Sequence, residues 1–455
     1  MSKSVHHIVQ VSSQFQILAL CAAIQHGAVP IDKRSSTLLV CNNTPIPEIH
    51  PFVLSDEVQQ LADLYFGKVV LFNDLTYPLR PKDFSPSPSQ RHIWQRLLRD
   101  YFAVPHDSRV HLTVESLQVN PARALAMIFG DSPLSVHADG LMVYSPTRFH
   151  LDPTLTQRIH SLVYPDFLPG ISPLLFNELA ITRTPVPLAA CDSTIRSLSA
   201  SGSSSLPVRS SPTSSYALIL GQYLSQLGVL TQSEEDDLYR GMLDRAVTQG
   251  FSAVVFRPHP SAPPTSVRSF VQYAHLVGVD ITVDDCPTPV EFRYILNPPE
   301  KVFSVFSTAL ATASIGGGLP VEAVGTELLL EALTPYQNSN RVPVTLCDLL
   351  FRADSPSLSV EEVQELVNAV GYCMQARTLP HLRDDAQRFV DTHRLGSSLP
   401  WRRYIKKRRA ESLGLISPPK PQPVVEAGPR PPASLYGRVR RAVGRRVRAQ
   451  VRGNQ

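Results

Sequence analysis

Residues 8–25, IVQVSSQFQILALCAAIQ, decide the fold. Ile8-Val9-Gln10-Val11 is a short, mostly apolar run of strand length. Two serines follow, and Phe15 to Gln25 then reads as a helix. Ser12 or Ser13 is its cap, because a serine oxygen accepts from the unpaired N–H groups of a first helical turn. A strand running straight into a capped helix is the repeating step of an α/β sheet.

Working outward, the same step recurs. Strands are expected at 37–41, 68–72, 109–114 and 134–137, with helices at 56–66, 90–102 and 121–129 between them. Such alternation predicts a mostly parallel sheet with helices on both faces. Residues 196–215, RSLSASGSSSLPVRSSPTSS, are too polar and too rich in Ser, Gly and Pro to pack, so they read as a flexible linker. The alternation then restarts. Strands are expected at 216–220, 253–257, 279–283, 301–305 and 320–324, and helices at 233–249, 265–277, 288–296, 307–314, 359–377 and 381–392. The reading is therefore two Rossmann-like domains, 1–195 and 216–400, facing across a cleft. Ligands of such sheets bind beyond the carboxyl ends of the strands.

With 455 residues, 43% of them apolar, the chain can bury two cores. Its net charge of +4 hides an asymmetry. Residues 401–455 hold 15 Lys and Arg against two acidic residues, leaving 28 basic and 37 acidic residues for the rest. An acidic body argues against nucleic acid as a partner. The six cysteines form no CxxC pair, which argues against a zinc site and suits a reducing compartment; Cys21 and Cys41 read as core thiols. No signal-peptide core and no apolar run of membrane-spanning length occurs, so a cytoplasmic protein is expected.

Four segments at strand ends carry the chemistry. His137-Ala138-Asp139-Gly140 offers a carboxylate that suits a general base; the same Asp-Gly pair also suits a plain turn. Phe256-Arg257-Pro258-His259-Pro260 holds a histidine between prolines, suited to donate to a phosphate or to be an ordinary loop residue. Ser307-Thr308 opens a small-residue helix, where hydroxyls and free N–H groups bind an anion or simply cap the helix. Glu291, in PTPVEF, suits the two hydroxyls of a ribose or a solvated first turn. GxGxxG and GxxxxGK[ST] are both absent, which removes dinucleotide and P-loop readings.

In their order along the chain, these Asp-Gly, His-Pro, Glu and Ser-Thr elements resemble the motifs of the bacterial sialyltransferases and polysialyltransferases. PVEFRYILNPPEKVFSVFSTAL is similar to the stretch joining their ribose-binding acid to their phosphate-binding hydroxyls, and VSSQFQILALCAAI to the opening of the polysialyltransferase-like group. The resemblance spans residues 8 to 330 as spaced motifs. It implies a GT-B fold, a CMP-sialic-acid donor, a glycan acceptor, and inverting transfer without a metal or other cofactor. Carried over, Asp139 is the base and His259 contacts the donor phosphate and acts as general acid. Ser307 and Thr308 bind that phosphate, Glu291 holds the ribose, and Gly221, Gln222 and Pro260 line the donor pocket. One position departs from the family's pattern: the first residue of its acidic pair is Ala138 here. A donor carrying another CMP-activated ulosonic acid, or an inactive glycan- or nucleotide-binding protein on the same frame, are the alternatives.

The tail is expected to divide. Residues 401–416, beginning WRRYIKKRR, read as a basic helix crossing back to the first domain. In 417–455 a proline-rich stretch precedes Leu435, Val439, Val443, Val447 and Val451, spaced by four with arginines between. That pattern predicts an amphipathic segment lying on an anionic membrane, hence a peripheral location on the inner face.

Overall fold

The computed structural model describes residues 4–44, 53–200, 215–393 and 399–417. Residues 1–415 form one compact unit that holds two parallel sheets. The first comprises β1 (Val5–Val11), β2 (Ser36–Val40), β3 (Lys68–Leu71), β4 (Arg109–Val114), β5 (Leu134–His137), β6 (Ile159–Asp166) and β7 (Thr182–Pro187), in the order β3-β2-β1-β4-β5-β6-β7. The second comprises β8 (Ala217–Leu220), β9 (Ala253–Arg257), β10 (Asp280–Val283), β11 (Lys301–Ser304) and β12 (Val321–Ala323), in the order β10-β9-β8-β11-β12. Strand order reverses between β1 and β4 in the first sheet and between β8 and β11 in the second. Those two points open the crevices in which doubly wound sheets bind ligands.

Ser13, rather than Ser12, caps the first helix, Gln14–Gln25: its Oγ accepts from Gln16 N at 3.1 Å. Ile17, Leu18, Leu20 and Cys21 of that helix are buried against Val9 and Val11 of β1 and Leu38 and Val40 of β2. Phe292, from the helix Val290–Leu296 of the second lobe, is buried in the same cluster. Burying such a ring contributes about 2 kcal/mol, so the lobes share a core rather than merely touching. Polar bridges add to this: Gln14 Nε2 donates to Pro287 O at 2.9 Å, and Ser145 Oγ to Ser339 O at 2.9 Å.

Three expectations need correction. The stretch 196–200 is not linker: it completes the helix Leu188–Ala200, because Ile195 and Leu198 bury in the first lobe's core. The remainder of that stretch, 201–214, lies outside the described residues. Strands β6 and β7 were not anticipated.

Residues 401–416 are not one crossing helix. They form a 3-10 turn, Trp401–Arg403, and a separate short helix, Lys407–Ser412. The buried Asp348 explains the seating, since a desolvated carboxylate demands a charged partner. Arg403 forks onto it through Nε and Nη2, both at 2.7 Å, and Tyr404 Oη donates to it at 2.9 Å. Contacts to the first lobe come instead from the helix Val360–Gln375. Gln364 Oε1 accepts from Ser172 N at 2.6 Å, and Gln375 Nε2 donates to Arg148 O at 2.9 Å. The valine-arginine pattern of 435–451 lies outside the described residues. Among the described residues no helix is long and apolar enough to cross a membrane.

Candidate active site

At the crevice of the first sheet, β1 is followed by Ser12 and Ser13 and β4 by Glu115. Glu115 accepts from Gln10 Nε2 at 2.9 Å, from Gln16 Nε2 at 2.9 Å and from the Ser12 hydroxyl. Asp139 follows β5, the next strand over, and receives Ser13 Oγ at a long 3.4 Å. Burial first, and the Glu115 charge second, hold the Asp139 carboxyl above its ordinary range. His137, the Gln16 amide and its own backbone N–H pull the other way. A part-buried carboxylate that is poorly supplied with donors and reluctant to stay ionised is a fit proton acceptor.

Gly140 is not there for a turn. Its φ of −158° is extended backbone open to any residue. What it provides is space, because a Cβ at this position would stand 2.9 Å from Thr308 Oγ1. The next residue bonds the same atom: Leu141 N donates to Thr308 Oγ1 at 3.1 Å. The Asp-Gly loop of the first lobe therefore rests directly on the Ser-Thr pair of the second.

That pair sits at the second sheet's crevice, just past β11. Ser307 caps the four-residue helix Thr308–Ala311, its Oγ accepting from Ala309 N at 3.2 Å. Both hydroxyls are thus engaged as acceptors, and each retains its own proton to donate. The cap reading of Ser307 is realised.

Past β8, Gly221 has no room for a side chain: a Cβ would meet Pro258 Cα at 3.1 Å. Gln222 N donates to Tyr239 Oη at 2.8 Å, while Gln222 Oε1 is buried with no hydrogen-bond partner among the described residues. An orphaned buried acceptor costs about 1–3 kcal/mol unless a ligand supplies the donor.

His259 follows β9 on the same carboxyl edge. Its ring stacks on Tyr223 at 3.9 Å between centroids. Nδ1 accepts from Ser261 N at 3.0 Å, which leaves the proton on Nε2. Burial pulls its pKa down to about 4, with Glu235 acting weakly in the opposite direction. The ring is thus neutral at physiological pH, and it offers an N–H rather than a formal positive charge. Pro260 is exposed, inside the turn closed by Ala262 N donating to His259 O at 2.8 Å.

Glu291 is 8% exposed, so it is not a solvated first-turn acid. Its Oε1 accepts from Thr312 Oγ1 at 2.8 Å. Burial holds its carboxyl above the ordinary range, against the pull of the Thr312 bond and Arg257. It lines a small cavity shared with Phe15 and Asp192 of the first lobe and Thr312 of the second.

The structure therefore sets Gly140 and Leu141, the residues after Asp139, against Thr308 across the lobe junction, and places Gln222, His259 and Ser307 along one sheet edge. Sequence reading missed Glu115 and Tyr223. Glu115 was legible as the residue directly after a strand at a reversal of strand order, but that order is visible only once the sheet is assembled.

Comparison with known proteins adds the family. A family model described as alpha-2,8-polysialyltransferase (POLYST) matches residues 7–318. No curated protein matches. Several solved structures are similar in fold. A sialyltransferase from Photobacterium damselae is 12% identical, covering 76% of this chain and 96% of that one at a TM-score of 0.41. A UDP-N-acetylglucosamine 2-epimerase is 12% identical, covering 93% and 99% at 0.42. MurG from Acinetobacter baumannii is 10% identical, covering 85% and 95% at 0.36. At these values the structural likenesses carry no argument about chemistry. The family match covers most of the chain and every strand-end motif, from Asp139 to Thr308. On that ground this chain belongs to the alpha-2,8-polysialyltransferase family, and is a CMP-sialic-acid-dependent sialyltransferase built on two parallel sheets.

Proposed function

We propose that the first lobe, residues 1–195, presents the glycan acceptor to Asp139, and that the second, 216–400, holds the CMP-sialic acid donor. The observation that carries this reading is the hydrogen bond from Leu141 N to Thr308 Oγ1, which sets the base's loop against the hydroxyl pair. Asp139 takes the proton of the acceptor hydroxyl. The acceptor oxygen attacks the anomeric carbon of the donor from the face opposite CMP, and the bond to the phosphate oxygen breaks. The electron pair leaves on that oxygen.

Charge thus builds on one phosphate during the reaction. The His259 Nε2–H and the protons of Ser307 and Thr308 donate to it, and they bind the developing charge more tightly than the ground state. A neutral histidine performs this as a hydrogen-bond donor; full proton transfer to CMP would follow only once the bound phosphate has raised its basicity. Glu291 holds the ribose. Gln222 Oε1 accepts from the amino group of the base, which would give its orphaned oxygen a partner.

A thermal-shift panel of CMP, UMP, GDP and CMP-sialic acid tests the donor class. A selective rise with the two cytidine compounds is expected, since ligands stabilise by mass action. Equal shifts with all four would remove the assignment.

We also infer peripheral membrane association through 417–455, supported by the arginine and valine spacing in the sequence. Each arginine near an anionic surface adds about 1 kcal/mol. Deleting 417–455 is expected to abolish sedimentation with phosphatidylserine vesicles and to spare CMP release. Equal sedimentation of both forms would end this reading.

A further inference from the structure

A second carboxylate stands beside Asp139, and nothing in the transfer step uses it. Glu115 lies directly after β4, which pairs with β1 on one side and β5 on the other. Register places Val114 opposite Val136, so Glu115 stands level with His137, two residues before Asp139.

The two carboxylates are treated very differently by their surroundings. Both oxygens of Glu115 are filled: Gln10 Nε2 donates to one, and Gln16 Nε2 and the Ser12 hydroxyl to the other. Gln10 is itself tied back, its Oε1 accepting from Glu115 N at 3.2 Å. Gln16 is likewise oriented, because its Oε1 accepts from Ser12 N at 2.6 Å. Three oriented donors fill the acceptor positions of this carboxylate and fix its orientation. Asp139 has a weaker supply, with one long contact to Ser13, the pull of the Gln16 amide and its own backbone N–H. Gln16 bonds Glu115, and Ser13, the cap that accepts from Gln16 N, bonds Asp139, so the first turn of one helix reaches both acids. Residue 138, the neighbour of Asp139 in sequence, is alanine and brings no charge.

We infer that Glu115 is a positioning residue for Asp139: a carboxylate locked in place by Gln10 of the neighbouring strand and by Ser12 and Gln16 just beyond it, that keeps the Asp139 carboxylate a ready proton acceptor. This rests on Asp139 being the base. The physical reason is like-charge repulsion, which makes a second ionised carboxylate costly and a bound proton welcome. Three other groups lie near the pair. His137 opposes the effect from β5, its Nε2 bonded to Gln10 O at 2.8 Å. Cys41, at the end of β2, is buried and feels the Glu115 charge without adding one. From the second lobe, Thr308 presents an uncharged hydroxyl.

The test is the pH dependence of CMP release by the full-length enzyme with saturating donor and acceptor. In Glu115→Gln the acid limb of kcat is expected to move to lower pH, because the neighbouring charge is gone. The plateau rate should fall roughly tenfold, since a weaker base abstracts the proton less readily. Donor KM should stay within twofold. A plateau that falls while the limb stays in place marks Glu115 as a structural brace and overturns the inference; so does an unchanged profile. If Glu115→Gln does not fold, Glu115→Asp keeps the charge but withdraws it by one methylene. Its limb should move the same way by a smaller amount, and an unmoved limb is again decisive against the proposal. Failure of the base assignment looks different: Asp139→Asn would then keep its activity, whatever Glu115→Gln does.

Discussion

Asp139→Asn abolishes transfer, with kcat expected to fall about a thousandfold, the scale of losing a positioned general base. The substitution keeps shape and the loop's contact with Thr308, so CMP should still raise the melting temperature as in the wild type. What disappears is the proton acceptor. Burial and Glu115 place the native carboxyl above its ordinary range, so the wild-type rate should fall as pH drops toward that raised value. Above it the carboxylate is ionised and the rate levels off. In the variant the limb should vanish together with the activity. Initial rates of CMP release between pH 4.5 and 9 decide the matter: a variant near wild-type speed, with the limb intact, takes the base elsewhere.

The second large effect concerns His259. Removing one preorganised donor to a developing charge costs about 100- to 1,000-fold in kcat, and His259→Ala should lose that much. Donor affinity should weaken as well, because the phosphate contact exists before bond breaking. The chemical character of the ring gives a sharper expectation. With a pKa of about 4 in the free enzyme, His259 is neutral from pH 5 to 8 and presents the same N–H throughout. The profile of kcat/KM, which reports the free enzyme, should therefore show no step near the ordinary histidine value of 6.5. An uncharged amide donor should partly replace it, so His259→Asn should recover part of what His259→Ala loses. A clear ionisation near 6.5 that is lost on substitution would mean that the imidazolium does the work.

The strands of both sheets were legible wherever apolar runs were uninterrupted, as in β1, β4, β8 and β9. β6 and β7 escaped because Pro165, Pro185 and Pro187 interrupt them. A proline removes a ladder donor, which an edge strand such as β7 tolerates on its unpaired side. The linker was read five residues too early, inside the helix ending at Ala200, because RSLSA is polar by composition. Yet Ile195 and Leu198 lie one turn apart, and tertiary burial outweighed that composition. For the site, residue types at strand ends pointed to Asp139, His259 and Ser307. The role of Gly140 was not legible, since the atom it makes room for comes from a residue 168 positions later. Glu115 was hidden in the same way: its meaning depends on β4 lying between β1 and β5, and no local pattern encodes that order.

The lobe junction has a consequence for economy. Leu141 N–H occupies one lone pair of Thr308, and the hydroxyl's proton is left for an incoming phosphate. An anion that accepts this proton polarises the oxygen and tightens its hold on Leu141. If Thr308 holds the donor phosphate as proposed, its occupancy would be felt at the peptide next to Gly140, two residues from Asp139. On the proposed assignment, a donor phosphate bound at Thr308 would hold the loop that carries Asp139 more firmly than an empty pocket does. Such wiring favours spending the costly donor on a partner sugar rather than squandering it on a passing water molecule.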